Sequence, residues 1–433
     1  MLADKTKVPA EGGFLGKFYQ HLTKKGKAKI KPKSTNAVDL DTPRIEEWDD
    51  VEYCPKDSFR QASSLLIFLG QWMCLIPLNH EEFKWLSFRV AFSIGAILCN
   101  SAMTLASILW LRDTGANILK GGTIFFFGAS TIAMTQFLRL SMKWPELIKK
   151  WEVLETYYGH RKYLSYKFNV LTLSIIAITF VEHISSLITG LITVKKDSTE
   201  IMKHYCVTRF PQVFMHVEFE VWIGFLVLMI NMVACHTFAF VDQLVIMFCI
   251  GLDEFFDDFN KRIGQERRQK LKPREWRTFR TDYTRLCNLV ASVDKCVCHL
   301  LFSSFAMHLF TICIELHHSM LLSADREERS HIIFSFIIAG GQACALCFFT
   351  VRVHDKSREP LNILYAVPSI SYCQEVEIFL LQILKNHVVL TGGHLFSMTR
   401  RFLLTIVGTM LSYEVLLLQL RILTAGKATV GDG

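Results

Sequence analysis

With 433 residues, 51% hydrophobic and 20% charged, 34 Phe and a mean hydropathy of +0.28, the chain is too apolar for an ordinary soluble protein of its length. Its formal net charge of +8 accompanies so much apolar sequence that nucleic acid is an unsuitable partner. The 13 Cys, odd in number and set mostly in apolar segments, fit buried thiols and not a disulfide framework.

The expected organisation begins with a disordered cytosolic tail over 1–56, since "MLADKTKVPAEGGF" has no signal-peptide core. Its basic block "KKGKAKIKPK" also suits contact with anionic inner-leaflet lipid. Residues 57–80 include "SSLLIFLGQWMCLIP", shorter than the roughly 20 residues that a span needs and closed by Pro77, so it reads as an interfacial helix lying along the membrane.

Longer apolar segments follow over about 87–111, 119–141, 165–194, 212–251, 283–321, 331–352 and 402–421. Placing the richest Lys and Arg clusters inside gives seven spans, a cytosolic N-terminus and an extracellular C-terminus. The fold class is therefore an all-α polytopic membrane protein. A transmembrane ligand-binding bundle is expected over 81–350, with cytosolic helix extensions at about 252–285 that turn near Pro273. A cytosolic anchor over 351–401 follows, where Val376, Phe379, Leu380 and Ile383 share one face of an amphipathic helix. A "TGG" break then separates it from the last span, so the last helix is split. The pore-lining part covers 402–424 and an extracellular tail covers 425–433.

No Gly-rich phosphate loop, H-E-x-x-H or G-x-S-x-G occurs, so neither an enzyme nor a cofactor is expected. The acidic run "LDEFFDDF" lacks calcium-loop spacing and reads as a solvated helix face.

What remains is a set of polar residues in the spans. Ser304, His308, Thr311 and Glu315 recur every three or four residues and share one face. Ser335 and Gln342 lie with His331 on the sixth span, Glu182, Ser185 and Ser186 on the third, and Phe214, Glu218 and Trp222 stand a turn apart on the fourth. All fall toward the extracellular side, where they either satisfy one another across helix interfaces or line an outward-opening polar cavity. Carboxylates and amides suit the many hydroxyls of a mono- or disaccharide, with Trp222, Tyr205 or Phe214 covering an apolar sugar face. The expected ligand residues are Glu182, Ser186, Glu218, Trp222, His308, Thr311, Glu315, Ser335 and Gln342.

The final span, "RRFLLTIVGTMLSYEVLLLQLRIL", keeps polar groups that lipid cannot satisfy. Within it "SYEVLLLQL", residues 412–420, resembles the Thr-Tyr-x(5)-Gln-Phe signature that closes insect gustatory receptors, with Ser412 in place of Thr and Leu420 in place of Phe. The Tyr-Glu pairing resembles the sugar-receptor branch. So do "DSFRQASSLLIFLGQWMCLIPL", "SFAMHLFTICIELHHS", "VHDKSREPLNILYAVPS" and "TRRFLLTIVGTM". The resemblance covers nearly the whole chain from about residue 57 and leaves the tail outside.

The resemblance implies a plasma-membrane, sugar-gated, non-selective cation channel acting as a sweet taste receptor. Four subunits, in a homotetramer or in a heteromer with other gustatory receptors, would surround one pore lined by the last helix. By family position the gate falls at Gln419 and Leu420, and Leu416, one turn before Leu420, adds a second apolar ring that dewets when closed. The implied partners are a sugar, permeating cations and membrane lipids. A channel for a non-sugar tastant and a transporter are the alternatives, and a transporter would show an internal repeat that is not seen.

Overall fold

The computed structural model describes residues 56–79, 82–159, 161–195, 201–266, 271–321 and 326–402, together with 404–406, 408–409, 412, 415–416 and 419. The chain divides into Met1–Tyr53 and Cys54–Gly433. The expected N-terminal tail lies outside the described residues.

The second unit opens with a two-residue strand β1 (Lys56–Asp57) and two short helices, α1 (Phe59–Ala62) and α2 (Ser64–Trp72). Ser58 caps α1 in a reciprocal box with Gln61, which satisfies donors that a helix start leaves orphaned. Leu66, Ile67 and Gly70 of α2 are buried while Phe68 and Trp72 are exposed, so α2 lays one side on the protein and shows aromatics on the other. Phe59 anchors the pair: its ring centroid is 4.2 Å from that of Trp151, and its N–H donates to Glu155 at 2.7 Å.

Long helices follow as α3 (Phe88–Thr114), α4 (Ile118–Tyr158), α5 (Leu164–Lys195), α8 (Val221–Glu266), α9 (Pro273–Leu321) and α10 (Arg326–Arg358). Strand β2 (Arg161–Lys162) pairs with β1 before α5, and the short helices α6 (Ile201–Arg209) and α7 (Pro211–Phe214) precede α8. By length and composition, six helices among the described residues suffice to cross a membrane. Half of the seventh expected span falls outside the described residues; those described from Arg400 to Gln419 are helical and are here called the terminal helix.

One expected span is corrected at its start. The apolar run from 212 does not form one helix, because α7 ends at Phe214 and α8 begins only at Val221.

Burial explains the layout. Along α8 every residue from His236 to Cys249 is buried, as expected of a helix that is apolar all round and sits inside a bundle. Toward its far end Phe255, Phe256 and Phe259 pack with Trp276, Phe279 and Tyr283 of α9, so both helices run past the apolar stretches into a shared aromatic core. By contrast α3 exposes Phe88, Phe92, Leu98 and Leu105, and α5 exposes Leu173, Ile178, Phe180 and Ile188. Apolar surface of that extent needs an apolar surrounding.

After α10 come α11 (Pro360–Tyr365) and α12 (Gln374–Lys385). Val376, Phe379 and Ile383 of α12 are buried and Leu380 is half-buried, as its periodicity predicts. The "TGG" break forms a hairpin of β3 (Thr391–Gly392) and β4 (Phe396–Ser397). Asp294 of α9 accepts from the Thr391 N–H at 2.6 Å, and Gly393, with φ +58°, donates to the Cys298 carbonyl at 2.9 Å. That left-handed backbone favours glycine. The hairpin is thereby strapped to α9, and Arg400 starts the terminal helix with an ion pair to Asp355 of α10 at 2.7 Å.

The segment "VHDKSREP" supplies much of this wiring. His354 Nδ1 lies 3.1 Å from the Val388 carbonyl, Lys356 pairs with Asp257 and Glu359, and the Ser357 carbonyl accepts from Tyr283 at 3.2 Å.

Candidate ligand site

Three helices bring polar residues together near the end of the bundle opposite the α8–α9 connection. Ser335, two to three turns into α10, donates to Glu182 of α5 at 3.2 Å. Glu315, near the end of α9, lies beside the same hydroxyl. One turn below Glu182 on α5, the Thr179 hydroxyl accepts from Gln342 of α10 at 3.5 Å. Ser186 of α5 and Thr311 of α9 are half-buried and lie one turn from Glu182 and Glu315 respectively. Glu182, Glu315, Ser335, Gln342, Ser186 and Thr311 thus occupy three neighbouring helices.

A serine has one proton to donate, here given to Glu182, so the two carboxylates retain unused acceptor lone pairs. Carboxylates held in a membrane bundle are costly without partners. Helix α6 is seated against α5 by Tyr205, whose ring lies where a side chain at Gly190 would stand.

The other expected ligand residues are placed elsewhere. Ser304 and His308 do not face an outward cavity: both are buried and both bond Asp242 of α8, His308 Nε2 at 2.7 Å. Their stripe is real, but its lower half is taken by a carboxylate overlooked in the sequence. The signal was there in "AFVDQLVI", a lone Asp-Gln pair within an apolar run. Glu218 is not on a helix face with Phe214 and Trp222. It sits exposed on the connection between α7 and α8, and Trp222 is exposed in the first turn of α8. Tyr205 is buried in packing and presents no face to a ligand. Ser303, next to the stripe, donates to Gln136 of α4 at 3.0 Å.

A cavity of about 570 Å³ lies away from the carboxylates, between α3, α4 and α8, and is lined by Phe88, Phe92, Met134, Leu226, Met229 and Val233. Asn100 is its polar contributor, so it suits an apolar occupant and gives a sugar little to bond.

On the terminal helix Leu416 and Gln419 are helical and exposed. Leu420 lies outside the described residues.

A bundle of long apolar helices with an apolar outer surface defines a multi-pass membrane protein, here with half-buried carboxylates inside its spans. The trehalose receptor family model matches residues 23–427, and the chain belongs to that family, within the insect gustatory receptors. The match begins in the N-terminal tail, earlier than the resemblance read from the sequence.

Among relatives, the gustatory receptor 5a for trehalose of Drosophila melanogaster is 26% identical over 381 residues, covering 84% of this chain and 85% of that protein. The gustatory receptor for sugar taste 64f of the same organism is 24% identical over 396 residues, covering 87% and 84%. The fold is similar to that of the insect olfactory receptor OR5 from Machilis hrabei, solved alone and with eugenol. In both cases the TM-score is 0.63 at 14% identity, and 98% of that chain is covered.

Proposed function

We propose that the chain is a sugar-gated, non-selective cation channel of the plasma membrane, acting as a sweet taste receptor. The observation that carries the ligand site is the Ser335 hydroxyl bonded to Glu182 with the carboxylate of Glu315 beside it. A saccharide with neighbouring hydroxyls supplies the donors that this arrangement lacks, replacing one bond by several. Gln342 and Thr179 add an amide and a hydroxyl one turn deeper. The printed names of the relatives, for trehalose and for sugar taste, support the same ligand class.

In this reading the N-terminus and the α8–α9 connection are cytosolic and the carboxylate cluster lies in the outer half of the membrane. Lipid surrounds the exposed apolar faces of α3 and α5. Four subunits, identical or mixed, surround a pore lined by the terminal helix. Leu416 and Leu420 form apolar rings that exclude water when closed, and Gln419 lines the same mouth.

Ligand binding draws α5, α9 and α10 toward one another. That movement reaches the pore because α9 also holds the hairpin from which the terminal helix starts. The test is whole-cell current in a heterologous cell expressing this chain alone, against mono- and disaccharides. Sugar-evoked current is expected. Its absence at normal surface level, restored by a second gustatory receptor, would make the channel heteromeric. A current evoked by non-sugar tastants alone would move the chain to the alternative ligand class.

A further inference from the structure

Near the α8–α9 connection, Arg274, Arg277 and Arg285 of α9 line a cavity of about 370 Å³ together with Tyr157 of α4. They recur on one face of the helix, one turn and then about two turns apart. The acid in the lining, Asp282, is already engaged. Its side chain is 1% exposed, it accepts from the Tyr157 hydroxyl at 2.7 Å, and it pairs with Arg285 at 3.2 Å and Arg262 at 3.7 Å. Arg262 and Arg285 also lie 5.6 and 5.4 Å from the centre of the Tyr157 ring, which holds both guanidiniums in place.

Arg274 and Arg277 have no acidic partner among the described residues. The Thr278 and Thr281 hydroxyls donate to the carbonyls of Arg274 and Arg277, so the donors left for a ligand are the guanidinium forks. Several forks around one cavity match adjacent phosphoryl groups, because each fork binds two oxygens at once.

We propose that this cavity binds a small soluble polyphosphate, an inositol polyphosphate or a nucleoside triphosphate. A membrane-bound headgroup shares that chemistry but is poorly placed. Arg285 and Arg274 stand ten and twenty-one residues before Lys295, the last charged residue ahead of the uncharged run to Glu315. The membrane part of α9 thus starts later than the 283 expected from apolar content. At about 1.5 Å per residue the two arginines lie roughly 15 to 32 Å from the membrane edge, against a screening length of about 8 Å. The topology proposed above has the cavity open to the cytosol, but binding to the purified chain does not depend on it.

The test is equilibrium binding of radiolabelled inositol hexakisphosphate and of ATP to the purified full-length chain in detergent. Nanodiscs with and without phosphatidylinositol bisphosphate form a second arm. One or both soluble anions should bind saturably, one per chain. Affinity should fall at least about tenfold in Arg274→Ala/Arg277→Ala and hold in Lys149→Ala/Lys385→Ala, which removes the same charge from exposed sites. All four side chains are exposed, so each variant is expected to fold. Absence of binding, equal weakening by the two double variants, or capture of the chain by the lipid-doped nanodiscs alone would overturn the proposal.

Discussion

Phe305 of α9 lies against Phe402 of the terminal helix with ring centroids 5.7 Å apart, and Phe396 of the hairpin touches both, at 5.5 and 4.4 Å. The Phe396 and Phe402 rings are nearly parallel, at 14°. Helix α9 therefore carries Glu315 near one end and holds the start of the terminal helix lower down. One rigid element thus spans the candidate ligand site and the candidate pore.

If that contact transmits gating, Phe402→Ala should lower the maximal sugar-evoked current at unchanged surface level. Phe68→Ala, which removes an exposed ring of α2, should not. The measurement is peak current normalised to surface label. Equal effects from the two variants would show that the aromatic cluster does not couple the sites.

Glu315→Gln keeps the shape of the side chain and removes its charge. A charge-assisted hydrogen bond is worth roughly 1.5 kcal/mol or more, so the half-maximal sugar concentration should rise by at least about tenfold. Ser335→Ala removes the donor to Glu182 without touching either carboxylate and should shift the curve less. An unchanged dose-response curve for Glu315→Gln at normal surface expression would place the cluster among structural contacts.

Asp242 and His308 are both buried, and removing Asp242 takes that partner from both His308 and Ser304. Asp242→Ala should cost about 3–5 kcal/mol of stability, read as a lower unfolding temperature in detergent and reduced surface level. The double variant Asp242→Leu/His308→Leu should recover much of that loss. If the double variant is less stable than Asp242→Ala, the pair contributes more than mutual satisfaction.

At the gate, Leu420→Ala and Leu416→Ala should each produce current without sugar, since four copies of a smaller side chain lower the barrier to wetting. Leu417→Ala, rotated about 100° on the helix, should leak far less. Should Leu417→Ala leak most, the face assigned to the pore is wrong.

An epitope tag after Gly433 should be stained on intact cells, and one inserted at Arg267 only after permeabilisation. The reverse pattern would invert the topology and carry the ligand site to the cytosolic side.

The sequence alone determined the class and much of the helical layout. Apolar length limits what can cross a bilayer, and the period of Val376, Phe379 and Ile383 requires one buried face. The family too was legible, because "SYEVLLLQL" and "VHDKSREP" keep residue types at set spacing. Periodicity brought Glu315 and Thr311 onto one face, and Glu182 and Ser335 were picked out as costly polar groups in apolar spans.

Only the tertiary structure decided which of these meet. A stripe states which side chains share a face, not what stands opposite. Ser304 and His308 face Asp242 because α8 crosses α9 at that level, whereas Glu315, two turns above His308, faces α5 and α10 instead. Glu218 left the stripe because the backbone between Phe214 and Val221 is not helical, and helical spacing has no meaning there. The contact of Phe305 with Phe402 joins residues far apart in the chain, and a hairpin bonded to Asp294 brings them together.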